Sequence, residues 1–331
     1  MRRENTFKPK GFFTNPITTR SRLVLEMASE LVTAPNQPYK QTKVLLRDQG
    51  TYEWPLALFG SSTYEGLDEV IAGTSALSII NPASAATIAY RGSKPYGSPQ
   101  PIRLIGVIPS LDQCVFAVTR DTGIETFEEI AARRFPLHVS LRGQPDHCLH
   151  LMLEHICEAA GFTLDDLGAW GGEAIKDGML PHPGSFKFDQ IKKGEINAIF
   201  DEGAHQWLDE ALAAGMQILP FAEDTVRKLE AVGYRRNVLE KRLYPQLPQD
   251  ILTIDFSGWA VFVRADLPDQ LVRQMCAAVE ARKANIPWEE PGPLPVERWA
   301  HDAPDTPIDI PLHPAAEEYW RERGYPVTSR S

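Results

Sequence analysis

No apolar run in this chain is long enough to cross a bilayer. The opening Met1 to Lys10 has the charge of a signal n-region, but neither an apolar core nor a small-residue cleavage site follows it. The expectation is a cytoplasmic protein if Met1 is the native start, and a periplasmic one if an export signal has been removed. Basic excess is absent too: 34 Lys and Arg stand against 44 Asp and Glu, a net charge of −10. A sequence-independent nucleic-acid binder needs a basic face, so that class is set aside. Cysteine is scarce. Cys114, Cys148, Cys157 and Cys276 all sit in apolar-patterned segments with no CxxC pair, which reads as buried reduced thiols. There is no Gly-x-Ser-x-Gly, P-loop or dinucleotide fingerprint, no HExxH and no internal repeat. No metal and no cofactor is expected.

What is there begins with Leu137 to Gly161, read as strand, loop and helix. Leu137 to Leu141 is short, mostly apolar and β-prone; Arg142-Gly143-Gln144-Pro145-Asp146 is a polar turn. Beyond it Leu149, Met152, Leu153, Ile156 and Ala160 fall at helical spacing. That spacing puts His147, His150, Glu154 and Glu158 on the opposite, solvated face. A strand passing through a glycine-containing turn into a helix leaves backbone N–H groups unpaired at the helix start, where a polar ligand group can sit.

Elsewhere strands and helices alternate. A helix with the stripe Leu23, Val24, Met27, Ala28 and Leu31 is capped by Thr18 or Thr19. Residues 50–62 read as loop and residues 284–314, rich in proline, as a surface wrap. Arg103 to Ile108 and Cys114 to Thr119 are strands split by the polar kink Pro109 to Gln113, either a crossing between lobes or a plain loop. Such alternation predicts α/β architecture with largely parallel sheets, and ligands collect at the C-terminal ends of strands. The polar strand ends are Asn81, Ser110 with Asp112, Ser140 with Arg142, and Asp201 with Glu202.

Several of these pieces together resemble the TAXI-type solute receptors of TRAP transporters. The likeness rests on Ala89-Tyr90-Arg91-Gly92, Arg103 to Gly106 with Val115 to Ile124, Gly194 to Asp201, Ala260 to Pro268, and Pro311 to Tyr319. It implies the type II periplasmic-binding-protein fold: two lobes, each a mostly parallel sheet flanked by helices, joined by crossing strands. The expected division is a basic tail 1–13, a first lobe 14–112 with 254–331, and a second lobe 113–253. It also implies closure on a small carboxylate-bearing or other anionic solute, with membrane transporter subunits as partners. Two features depart from the family. No signal peptide is visible, and the family's Gly-Ser-Gly-Thr loop is replaced by Gly143-Gln144-Pro145-Asp146. Pro145 lacks an N–H, and Asp146 adds negative charge where an anion would lie.

The ligand-binding candidates are therefore Asn81, Ser110, Asp112, Ser140, Arg142, Gly143, Gln144, Asp201 and Glu202. Arg142 either forks onto a carboxylate or pairs with Asp146. Asp201 and Glu202 either meet ligand or cap the helix starting at Ala204. Trp170, Trp207, Trp259, Tyr52 and Tyr64 are stacking candidates, although aromatics at such positions are usually core. The leading expectation is a solute-binding protein without chemistry. The alternative is a cytoplasmic decarboxylase or lyase on the same scaffold, using Asp112, Asp146, His147 and Asp201 for proton transfer.

Overall fold

The computed structural model describes residues 16–33, 39, 41–47, 55–288 and 294–330; the expected basic tail and Tyr52 lie outside these. The first described element is α1 (Pro16–Thr33), so Thr18 and Thr19 fall inside the helix rather than at its cap. Its stripe residues Leu23, Val24, Met27 and Leu31 stand exposed instead of packed.

A first sheet follows from β1 (Thr42–Leu46), β2 (Leu56–Gly60), α2 (Tyr64–Ala72), β3 (Leu77–Ile80), α3 (Ala83–Arg91) and β4 (Ile102–Ile108). Strand β2 lies in the stretch expected to be loop: it pairs antiparallel with β1 and parallel with β3. The chain then builds a second sheet from β5 (Val115–Thr119), α4 (Glu129–Arg133), β6 (His138–Leu141), α5 (Cys148–Ala159), α6 (Leu164–Ala169), β7 (Glu173–Lys176), α7 (Phe186–Lys193), β8 (Ala198–Asp201), α8 (Ala204–Ala213) and β9 (Met216–Ile218). Helix α9 (Glu223–Val232) and the hairpin β10 (Arg236–Leu239) with β11 (Ile251–Ile254) lead back to β12 (Trp259–Arg264) in the first sheet. Helices α10 (Asp269–Arg282) and α11 (Pro314–Glu322) close the chain.

Strand orders are β1-β2-β3-β12-β4 and β7-β6-β8-β5-β9. The two-sheet α/β architecture is thus as expected, but the strand senses are mixed. Helical crossovers make β2–β3, β6–β7 and β6–β8 parallel, whereas β12 and β5 run against both their neighbours. Strand β5 is buried on both faces: Phe116 and Val118 join the larger core, Val115 and Ala117 the smaller one behind it. Around Phe116 the rings of Phe127, Phe162, Phe200 and Phe221 pack edge-on or tilted at centroid spacings of 4.9 to 5.8 Å.

The stretch after α10, expected to wrap the surface, instead runs along β4. Val107 N–H donates to Trp299 O at 2.7 Å, Leu104 N–H to Pro311 O at 3.1 Å, and His313 N–H to Leu104 O at 2.8 Å. Val296, Trp299, Ile308, Ile310 and Leu312 are buried there. Irregular pairing on one strand edge leaves no regular period to read. All four cysteines are buried and free.

Gly92 ends α3 at φ 74°, and a Cβ there would lie 2.2 Å from the backbone carbon of Ser98. Left-handed backbone at a non-glycine residue costs on the order of 1–3 kcal/mol before any clash. Gly92→Ala is therefore expected to lower the unfolding free energy by at least that amount, read from the shift of the denaturant midpoint.

Candidate functional site

The two connections between the sheets run side by side. Phe256 N–H donates to Asp112 O at 3.0 Å and Gly258 N–H to Ser110 O at 2.9 Å. Ser257 Oγ lies 3.0 Å from both the N–H and the O of Asp112. Asn81 donates through Nδ2 to Phe256 O (3.2 Å) and Gly258 O (3.0 Å). Asn81, Ser110 and Asp112 are thus parts of the crossing itself. The Asp112 carboxylate reaches into the second sheet and accepts Gly203 N–H at 2.9 and 3.0 Å, as well as Gln113 N–H at 2.7 Å. Burial pushes its pKa up to about 7, against the pull of these N–H groups. Burial likewise raises neighbouring Asp255 to about 6, opposed by Ser257 and Asn237.

Parallel pairing of β6 with β8 brings their C-terminal ends together, and with them Arg142, Asp201 and Glu202. Arg142 Nε donates to Asp201 Oδ1 at 2.8 Å and Oδ2 at 3.1 Å, while its Nη2 bonds Glu202 Oε1. Neither acid caps α8, whose N-cap is Gly203. Arg142 does not pair with Asp146. A residue absent from the sequence reading completes the cluster: fully buried Lys187, its Nζ 3.6 Å from Asp201 Oδ2 and donating to Leu141 O at 3.2 Å. Burial raises Asp201, and Arg142 and Lys187 draw it back down. Burial, then Asp201, pushes Glu202 well above the carboxylate range, so Glu202 is the acid that takes a proton first. Ser140 is buried and donates to Asp177 Oδ1 at 3.0 Å. Gly143 and Gln144 are exposed; Gly143 N–H donates to Gly178 O at 2.8 Å.

His147 caps α5 by accepting Leu149 N–H on Nδ1 at 3.3 Å. Burial, then the Arg142 charge, pushes it down to about 3, so the ring is neutral. It stacks on Phe256 with 6.4 Å between centroids and 7° between planes. Its Nε2 lies 4.0 Å from Glu202 Oε2, an atom that is buried without a hydrogen-bond partner. His150 is not on a solvated face: it is buried, with Nδ1 3.0 Å from Pro145 O and Nε2 2.7 Å from Arg142 O. These contacts pin the loop that carries Arg142. Among the described residues, no hydrogen bond links any two of Asp112, Asp146, His147 and Asp201.

In front of this cluster lies a cavity of about 250 Å³. Tyr64, Asp68 and Tyr96 wall it from the first sheet's side, and Asp146, His147, His150, Glu154 and Lys176 from the second's. A wider hollow of about 520 Å³ shares Tyr64, Asp68 and Asp146. Tyr96 donates to Asp68 Oδ1 at 3.4 Å, and burial raises Asp68. The Lys94–Glu158 ion pair, Ser93 Oγ to Val232 O at 2.7 Å and Arg91 Nη1 to Glu230 O at 2.8 Å tie the two sides beside the cavity. Of the stacking candidates, Tyr64 reaches the cavity. Trp207 is core, its Nε1 donating to Glu202 O at 2.8 Å.

The chain belongs to the NMT1-like family, whose profile matches residues 63–324. No curated protein matches it. Among solved structures it is similar to the glycine betaine/L-proline-binding protein ProX of Borrelia burgdorferi, at 11% identity over 62% of this chain and 62% of that one, with a TM-score of 0.34. A Bordetella bronchiseptica RB50 protein shares 13% identity over 67% of this chain and 59% of that one, TM-score 0.37. The alkanesulfonate-binding protein SsuA of Xanthomonas axonopodis pv. citri, bound to MOPS, shares 12% identity over 79% and 78%, TM-score 0.33. The chain thus spans less than two thirds of the length of the first two.

Proposed function

We propose that this protein is a solute-binding receptor: residues 14–112 with 254–331 form one lobe, residues 113–253 the other, and a small molecule is held between them. The observation that carries this reading is the cavity walled from both sides, beside paired crossing strands that can act as a hinge. Membrane transporter subunits are the partners proposed to receive the solute.

The cavity's composition favours a small organic cation over the carboxylate inferred from family resemblance. Asp68, Asp146 and Glu154 outnumber Lys176, and Tyr64 and Tyr96 are among the lining residues, aromatic side chains of the kind that attract a cation. Arg142, the group suited to a carboxylate, is committed to Asp201 and Glu202. A thermal-shift panel of alkylammonium and N-heteroaromatic cations against dicarboxylates tests this. A cation at about a hundred times its Kd is expected to add about 2.7 kcal/mol of stability, with Tyr64→Ala weakening the effect. Stabilisation by acids alone overturns the cation assignment; a flat panel overturns the receptor reading.

A further inference from the structure

Helix α1 contributes no described side chain to either hydrophobic core. From Arg20 to Thr33 every residue is exposed except half-buried Ala28, and Leu23, Val24 and Met27 are each more than half exposed. Six of its 18 residues, Ile17, Thr18, Thr19, Val24, Val32 and Thr33, are β-branched and weak helix formers. A helix of this length and composition is marginal in water, and its stability comes chiefly from packing of an apolar face. Such a face is present: Leu23, Val24, Met27 and Leu31 fall at steps of three and four residues, with Arg20 in line at the N-terminal end and Glu30 at the flank. A contiguous exposed face of this kind marks an interaction surface.

The charges on α1 decide what fits that face. Its N-terminal half carries Arg20 and Arg22, its C-terminal half Glu26 and Glu30. Arg22 pairs with Glu26 within the helix, whereas Arg20 and Glu30 have no ion-pair partner among the described residues. Two copies of α1 laid antiparallel, about a two-fold axis beside Leu25 and Glu26, bring the basic half of each onto the acidic half of the other. Val24 then meets the partner's Met27, and Arg20 reaches the turn that holds the partner's Glu30. Parallel pairing would instead set like charges together, and only the antiparallel arrangement opposes the two helix dipoles. An anionic membrane fits less well. The polar side of a surface-bound helix is rich in Lys and Arg, whereas here Glu26 and Glu30 accompany Arg22, and the chain's net charge is −10.

We infer that α1 is a dimerisation helix that docks antiparallel on α1 of a second copy of this chain. A helix about 27 Å long cannot by itself cover the roughly 800 Å² per partner of a standard interface, so a reversible dimer with a micromolar Kd is expected. Sedimentation velocity of the full chain over micromolar concentrations measures it. Met27→Glu puts an acid in the middle of the seam and is expected to leave monomer throughout. Val24→Ser, also at the seam, is expected to weaken association in the same direction. Both positions are exposed, so neither change is expected to disturb the fold. Arg20→Glu sets like charges together at both ends of the seam and is expected to raise Kd about tenfold. Arg20→Glu with Glu30→Arg reverses both signs, keeps the complementarity, and is expected to return Kd to the parent's. The inference is overturned if the parent stays monomeric, if Met27→Glu or Arg20→Glu dimerises as the parent does, or if the double variant fails to recover what Arg20→Glu loses. In the first case, α1-dependent sedimentation with phosphatidylglycerol vesicles would assign the face to a membrane instead.

Discussion

Arg142→Met is expected to lower the unfolding free energy by about 3–5 kcal/mol, or to prevent folding, since removal of one partner of a buried ion pair leaves the other charge uncompensated. The substitution strips Asp201 of both Nε bonds and Glu202 of its Nη2 bond. Asp201 is fully buried, and among the described residues Lys187 at 3.6 Å and the Glu202 N–H at 3.0 Å remain to balance it. Arg142→Lys is expected to recover little, because an ammonium cannot reproduce the fork that spans two carboxylates. Arg142→Met with Asp201→Leu removes one charge of each sign but takes from fully buried Lys187 the acid 3.6 Å away, so only part of the lost stability is expected to return. Urea unfolding of the four proteins at neutral pH measures this. A loss below about 1 kcal/mol in the single variant, the range of an exposed pair, would show that the cluster is not the electrostatic anchor described here. The cost also explains why Arg142 is a poor candidate for gripping a ligand acid: the incoming group must displace two partners already in place.

The local pattern made the central unit readable. Strand β6 and helix α5 fall where Leu137 to Leu141 and the 149–160 stripe placed them. What escaped depended on partners far along the chain. Strand β7 is only Glu-Ala-Ile-Lys and exists because β6 offers it an edge; β2 exists between β1 and β3. The strand ends carrying Arg142, Asp201 and Glu202 were legible as polar positions, but their mutual pairing was not, because it spans 59 and 60 residues. Lys187 was legible in principle: it shares a buried helical face with Phe188 and Ile191, and a lysine inside such a stripe needs an anion. His150 reads as polar surface by periodicity, but the carbonyls of Pro145 and Arg142 give its ring partners inside. The α1 stripe shows the opposite failure, a correct helix whose apolar residues Leu23, Val24, Met27 and Leu31 are left exposed among the described residues.

The second large effect concerns pH and the crossing strands. Asp112 and Asp255 have folded-state pKa values of about 7 and about 6, both raised by burial. In the unfolded chain an aspartate titrates near about 3.9. As pH rises from about 4 to about 7, the unfolded state gives up these protons first and binds fewer than the folded state, so the stability these two groups contribute falls. Their contribution is complete below about pH 4 and lost through the two folded values. At about 1.4 kcal/mol per unit, Asp112 alone could account for up to about 4 kcal/mol. The two sites are not additive, because each carboxylate disfavours ionisation of the other. Glu69, Glu230 and Asp302, lowered in the folded state, act in the opposite direction at more acid pH. His147, lowered to about 3, and His155 and His313, also lowered, act in the opposite direction below about pH 6.5, so the measure is the difference between parent and an Asp112 variant rather than the parent's own profile. Asp112→Asn keeps an oxygen to accept Gln113 and Gly203 N–H and carries no titrating proton, so the parent's stability relative to the variant's should fall between about pH 5 and pH 7. Guanidinium melts across that range decide the matter: parallel curves for parent and variant would mean that Asp112 is ionised throughout. The Gln113 and Gly203 N–H groups favour the ionised carboxylate, so ionisation strengthens the bonds that join the crossing strands to the start of α8 while it adds the cost of a buried charge.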